Sequence, residues 1–352
     1  MKISIGTNIK DGPWGGGNLF AINLTNYLIQ NGHDVISNLE DNDIDIILLT
    51  EPRKTSESSA FTHLDVNNYL NYINQNAIVV HRINECDERK GTNFVNEYLI
   101  DVNKSADYTV FVSSWLKSLF VDQGLSPKNK DVILAGANQN IFNSDGYSHW
   151  NKSVKMKIVT HHWGANWNKG FEIYRKLDEV LSDNDYKEKF EFTYIGNLPK
   201  NFFFKNTNHI SPLAGEELAK ELKKNHVYIT ASINEPSGNH HIEAAQCSLP
   251  ILFIESGGIP EYCVGYGLMF NNDNFLEKLD EMYNRYDFYL KKILKYPFNS
   301  DKMCEEYLKL FKNLINNKEE VYRSRNIKSL KVTNKFFYRF KKNIIKKKKY
   351  LT

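Results

Sequence analysis

The chain has 352 residues, 41% of them apolar, 25% charged and 13% aromatic, with a net charge of +3 at pH 7. That length suits roughly two domains, each with its own core, and no run approaches the roughly 18–20 apolar residues that cross a bilayer. The four cysteines, Cys86, Cys247, Cys263 and Cys304, show neither close pairing nor metal-ligand spacing, which argues against a disulfide scaffold or a zinc module. With a strand at MKISIGTN where a signal peptide would stand, a cytoplasmic protein with reduced thiols is the expectation.

In chain order, residues 2–7 form the first predicted strand. A glycine-rich loop, GPWGGGN at 12–18, precedes a helix with Leu19, Phe20, Ile22, Leu24, Tyr27 and Leu28 at mostly helical spacing. Further strands are expected at 35–36, 44–49, 77–80, 108–112 and 131–134, and a polar stretch at 143–153 reads as a linker. The pattern then restarts, with strands at 157–160, 190–195, 226–230 and 251–254 and helices near 170–182, 215–224, 239–247 and 273–293. This alternation predicts an α/β protein of two Rossmann-like, doubly wound domains, residues 1–145 and 154–300, facing each other across a cleft. A helix at 301–318 is expected to return to the first domain, and a basic tail occupies 321–352. In such sheets ligands bind at the carboxyl ends of the strands.

The richest segment is 234–263, NEPSGNHHIEAAQCSLPILFIESGGIPEYC. Glu235 and Glu243 stand eight positions apart across a loop–helix junction. Leu249-Pro250 ends the helix, the apolar run 251–254 reads as a buried strand, and Gly257-Gly258 precedes a helix start at Ile259-Pro260-Glu261. Carboxylates suit hydroxyl-rich groups, and bare amides beside a helix start suit phosphate, so the segment points to a nucleotide sugar.

This segment resembles the donor-binding signature of GT-B glycosyltransferases, in particular glycosyltransferase family 4, whose pattern is a Glu, seven residues, a second Glu with small residues, then Gly-Gly-x-Pro-Glu. The resemblance implies that Glu235 contacts donor-sugar hydroxyls, Glu243 holds the ribose, and Gly257 and Gly258 lie against the diphosphate. It further implies that the loop carrying Gly16, Gly17 and Asn18 lies over donor phosphates and acceptor. His81, at a strand's carboxyl end, would sit near the acceptor or transferred sugar, and Arg82 near phosphate. Gly196 and Asn197 would line the base pocket. Residues 160–170, THHWGANWNKG, match the family's Lys-Gly at Lys169-Gly170 but lack its preceding Arg. A protonated His162, or an arginine from elsewhere such as Arg82, is the expected substitute.

Other signals fail. The glycine loop has neither dinucleotide nor P-loop spacing, which disfavours a nicotinamide-dependent oxidoreductase. Asp43-x-Asp45 begins a strand and Asp183-x-Asp185 lies in a polar connection, both poor places for a metal. No metal and no cofactor are expected.

The net charge hides an asymmetry. After Glu320 there are twelve basic and no acidic residues, so residues 1–320 carry a net charge of −9. Phe337, Phe340 and Ile344 could share one face of a basic amphipathic helix, the kind that lies on anionic membrane. With an acidic body and no recognition motif, nucleic acid is not an expected partner.

The expectation is therefore a cytoplasmic transferase, peripheral on the membrane face where its basic tail would lie, that moves a sugar from a nucleotide-diphosphate donor to a glycan or lipid-linked glycan. The resemblance implies retention of configuration and no metal. A GT-B nucleotide-sugar epimerase and a catalytically silent nucleotide-sugar-binding protein are the alternatives.

Overall fold

The structure is a computed structural model and describes residues 1–12, 14–127 and 129–325. The strands in chain order are β1 (Lys2–Ile5), β2 (Asp34–Ile36), β3 (Ile46–Leu49), β4 (Ile78–Ile83), β5 (Tyr108–Phe111), β6 (Lys130–Val132), β7 (Met156–His162), β8 (Phe190–Gly196), β9 (Asn208–Ile210), β10 (Val227–Thr230), β11 (Ile251–Ile254) and β12 (Gly267–Phe270). They form two six-stranded sheets, ordered β2-β1-β3-β4-β5-β6 and β12-β11-β10-β7-β8-β9. Every strand pair is parallel. Parallel strands need helical crossovers that cover both faces, which is why the central strands read as unbroken apolar runs such as IILL and ILFI.

The register sets the site. β3 pairs with β4 up to Leu49 opposite His81, and β7 with β8 up to His162 opposite Gly196. Each sheet thus presents polar residues at its carboxyl end. On one face of the first sheet, Phe20 of the helix Gly16–Gln30 meets Tyr307 of the helix Ser300–Asn316 edge to face, with ring centroids 5.2 Å apart. The C-terminal helix therefore completes the core of the first sheet, not the second. It crosses at Gly136, where a Cβ would lie 1.9 Å from the Asn299 carbonyl oxygen.

Several elements differ from the sequence pattern. β9 is a polar edge strand, and β12 starts at Gly267, whose missing side chain lets the backbone approach Ile251; neither was expected from the sequence. The helix expected at 273–293 is two helices, Phe275–Asn284 and Tyr286–Ile293, broken at Arg285. Trp150, in the stretch expected to be a linker, is buried against Tyr283 and Tyr286. All four cysteines are buried and unpaired. Among the described residues no helix is long and apolar enough to cross a membrane.

At the start of the predicted basic tail, Arg325 folds back. Its Nε donates to Asp107 at 2.7 Å, and it also donates to the carbonyls of Gln75 and Ala77. The amphipathic pattern at 330–350 lies outside the described residues.

The two sheets are joined by buried polar contacts as well as by chain. The Tyr262 hydroxyl donates to the Val112 carbonyl at 2.6 Å and accepts from the Ala135 amide at 2.9 Å. Glu261 accepts from the amides of Ser114 and Trp115, both at 2.8 Å, and so caps the helix Ser114–Asp122 from the other half of the molecule. Removing the Tyr262 hydroxyl strands two buried backbone groups. Tyr262→Phe is therefore expected to lower unfolding stability by about 1–3 kcal/mol in urea titration; an unchanged midpoint would show that this contact does not hold the halves together.

Candidate active site

The site is built where the loop 231–238 meets the turn before the helix Phe171–Val180. Gly170 caps that helix with φ +102, and a Cβ there would lie 2.7 Å from Ala231. This close approach delivers Lys169, at the end of the 3-10 turn Trp167–Lys169, into the loop. Its Nζ lies 2.6 Å from Glu235 Oε2, with both side chains about nine-tenths buried. The other carboxylate oxygen, Oε1, accepts from Arg89 Nε at 3.0 Å. Arg89 belongs to the first half of the chain, in the short helix Asp87–Lys90 after β4, so this bond crosses the cleft. Arg89 also donates to Glu85 at 3.0 Å, and Lys90 pairs with the same carboxylate at 2.9 Å.

Burial alone would raise the pKa of Glu235, but the Lys169 and Arg89 charges outweigh it and hold the group at about 2. Burial pulls Lys169 the opposite way, downward, against the pull of Glu235. The result is a fixed carboxylate between two cations, ionised at neutral pH.

Glu243, on the helix Asn239–Gln246, is buried and pairs with His161 Nε2 at 2.9 Å. His161 Nδ1 in turn meets the Tyr228 hydroxyl at 3.3 Å, so this carboxylate is also oriented from behind. Gly257 has φ +63, and a Cβ on it would lie 2.5 Å from the Glu235 carbonyl oxygen; the two loops touch through backbone. The Gly258 N–H already donates to that carbonyl at 2.8 Å. The glycine loop thus braces Glu235, and the Gly257 amide is the one without a hydrogen bond among the described residues.

The remaining predicted residues divide. Gly16 faces the second half, where a Cβ would come within 3.2 Å of the Asn239 side chain. Gly17 has open space around it. Asn18 is buried and clips its own loop by bonds to the amide and carbonyl of Lys10 at 2.9 and 2.8 Å. Gly196 closes against the His162 carbonyl, and Asn197 donates to the Trp163 carbonyl at 2.8 Å, tying the ends of β7 and β8.

His81 is wholly buried and accepts from Asn103 Nδ2 at 3.0 Å, which puts its ring proton on Nε2. Among the described residues no hydrogen bond or ion pair links it to Glu235. Arg82 lies 3.9 Å over the Phe20 ring, buried, with its Nε unpartnered. His162 stacks on Tyr174 and bonds its hydroxyl at 2.8 Å, and burial pushes its pKa well down. A neutral His162 cannot act as the substitute cation that the sequence suggested. Asp43 and Asp45 are engaged by the Lys2 ammonium and amide, and Asp183 caps the helix Asn184–Lys189. Sequence reasoning missed Arg89, because the run HRINECDERK also holds Arg82 and Lys90 and nothing in its spacing singles one out.

No protein-family model matches the chain, and no curated protein sequence does. Solved structures do. A glycosyltransferase from Rickettsia africae superposes with a TM-score of 0.67 at 13% identity, over 90% of this chain and 99% of that one. HepE from Anabaena, solved with UDP and glucose, gives 0.62 at 13% identity over 89% and 100%. WaaG, a glycosyltransferase involved in lipopolysaccharide biosynthesis, gives 0.56 at 12% identity over 92% and 98%. The architecture is GT-B. In GT-B terms the carboxyl ends of both sheets face one cleft, and the Glu235 cluster spans it.

Buried histidines give the fold a pH signature. Burial holds His81 and His241 near pKa 3 against an ordinary 6.5, and it lowers His162 and His240 as well. Unfolded histidine takes up protons below pH 6.5 that the native state refuses. Their stabilisation is therefore complete above that value and is lost as pH falls toward 3, by about 1.4 kcal/mol per pH unit for each such group. Glu235 adds a second loss between its ordinary 4.5 and about 2. Urea midpoints are expected to be level above pH 7 and to fall steadily from 6.5 to 5; a level profile across that window would contradict the burial of neutral imidazoles.

Proposed function

We propose that the protein is a glycosyltransferase that moves a sugar from a nucleotide-diphosphate sugar to a hydroxyl of a glycan or lipid-linked glycan, with retention and without a metal ion. The observation that carries this reading is the Glu235 carboxylate held by Lys169 at 2.6 Å and Arg89 at 3.0 Å in a GT-B cleft. A carboxylate kept ionised in a buried site is a fixed acceptor for donor-sugar hydroxyls. Glu243, braced by His161, would hold the two ribose hydroxyls. Complexes with UDP and with UDP and glucose among the structural neighbours support a nucleotide-sugar donor.

In the proposed reaction the bond between the anomeric carbon and the diphosphate oxygen breaks, and the acceptor oxygen takes its place on the same face. The acceptor proton passes to a donor phosphate oxygen, and the diphosphate leaves with the bonding electrons. Lys169 would meet the charge that develops there, and the site's preorganised cations cost no reorganisation at that moment. Glu235 orients the sugar and forms no bond to it. Gly16 and Gly17 would admit donor and acceptor at the first domain's edge, His81 would lie behind the acceptor, Arg82 near phosphate, and Gly196 and Asn197 beside the base. The chain would work in the cytoplasm, with residues 326–352 offering a basic segment to an anionic membrane face.

Steady-state release of nucleoside diphosphate from a panel of nucleotide sugars tests the assignment. Glu235→Gln is expected to lower kcat on the order of a hundredfold with a small change in KM, and Glu243→Ala to raise KM for the donor. Wild-type turnover in both variants would remove these residues from the site.

A further inference from the structure

The stretch that joins β7 to the helix Phe171–Val180 holds one cation, Lys169, and no arginine. His162 beside it is buried and neutral. Yet a leaving diphosphate carries more charge than one lysine matches, and an ammonium lacks the planar fork that grips two phosphate oxygens at once. Resting on the reading of this cleft as a nucleotide-sugar site, we propose that Arg89 supplies the second cation of the diphosphate clamp, delivered across the cleft from the opposite half of the molecule.

Three observations carry it. Arg89 and Lys169 grip the two oxygens of one carboxylate, so any group seated against Glu235 sits against both cations. Arg89 uses its Nε on Glu235 and its Nη1 on Glu85, while its Nη2 makes no hydrogen bond among the described residues. With 28% of its side chain still exposed, that nitrogen keeps two donors for an incoming anion. Third, the backbone that carries Arg89 is tied to the other half of the chain at two successive carbonyls. Asn168 Nδ2 donates to the Arg89 carbonyl and Asn234 Nδ2 to that of Glu88, each at 3.4 Å.

The charge balance agrees. Lys169, Arg89 and Lys90 face Glu235 and Glu85, so the linked cluster keeps one positive charge in excess. A cation that arrives from the other half also makes phosphate binding depend on the closed arrangement of the two halves, which a clamp carried wholly on β7 would not.

The test uses the full chain and whichever of UDP, GDP and ADP the wild type binds most tightly, with the matching nucleoside measured by displacement. Arg89→Ala is expected to weaken the diphosphate roughly tenfold to a hundredfold and leave the nucleoside within about twofold, since charged hydrogen bonds are worth about 1.5–3 kcal/mol. Arg89→Lys should fall between, having kept the charge and lost the fork. Glu243→Ala is the counter-variant, expected to weaken both ligands alike. Equal loss of diphosphate and nucleoside in Arg89→Ala would mean a structural role only and overturns the proposal, as does unchanged diphosphate binding. Should Arg89→Ala not fold, Arg89→Lys decides by the same ratio. A wild type that binds none of the three diphosphates removes the donor-site reading itself, an outcome distinct from tight binding that ignores Arg89.

Discussion

One ionised carboxylate, Glu235, shared between Lys169 and Arg89, is the constraint on which the site depends. Both side chains of the Lys169–Glu235 pair are nearly out of water. A buried ion pair of this kind is weak evidence for stability, because desolvating two charges costs several kcal/mol that mutual attraction only partly returns. Its geometry fits the role proposed for it: a group that accepts hydrogen bonds from a sugar would need to be ionised, immobile and already stripped of water. The surrounding backbone enforces this: Gly170, Gly238 and Gly257 all have positive φ, and a Cβ on any of them would meet the loop that carries Glu235 or a side chain packed on it.

The rest of the fold places those parts opposite one another. Two fully parallel sheets point their carboxyl ends at one cleft, and the helix Ser300–Asn316 returns the chain to the first core, so the first half is closed by sequence from beyond the second. The signature segment does double duty here. Its first residues form the site, while Glu261 and Tyr262, at its end, bind backbone of the first half. The loop that carries Glu235 is thus physically continuous with the joint between the halves.

Much of this was legible in the residues. The central strands could be read because parallel sheets bury both faces, and the helix Gly16–Gln30 because its apolar positions repeat on one side. Glu235, Glu243 and Lys169 could be singled out because loop, helix and glycine turn succeed one another in a specific order. What could not be read depends on the third dimension. β9 is a polar edge strand with a partner on one side only. β12 opens on a glycine whose reason is close contact with Ile251. The Gly258 amide looked available for phosphate, yet it serves the Glu235 carbonyl. His162 looked like a spare cation, yet Tyr174 and burial keep it neutral. Arg89 lies 146 positions from the carboxylate it binds, a pairing that no local pattern encodes.

Thermal unfolding in the presence of UDP, GDP, ADP and NAD, at equal concentration, tests the central claim most directly. A ligand at a hundred times its dissociation constant adds about 2.7 kcal/mol of stability, well above detection. The account predicts a clear rise in melting temperature with one nucleoside diphosphate and none with NAD. A rise with NAD alone, or with none of the four, would contradict it.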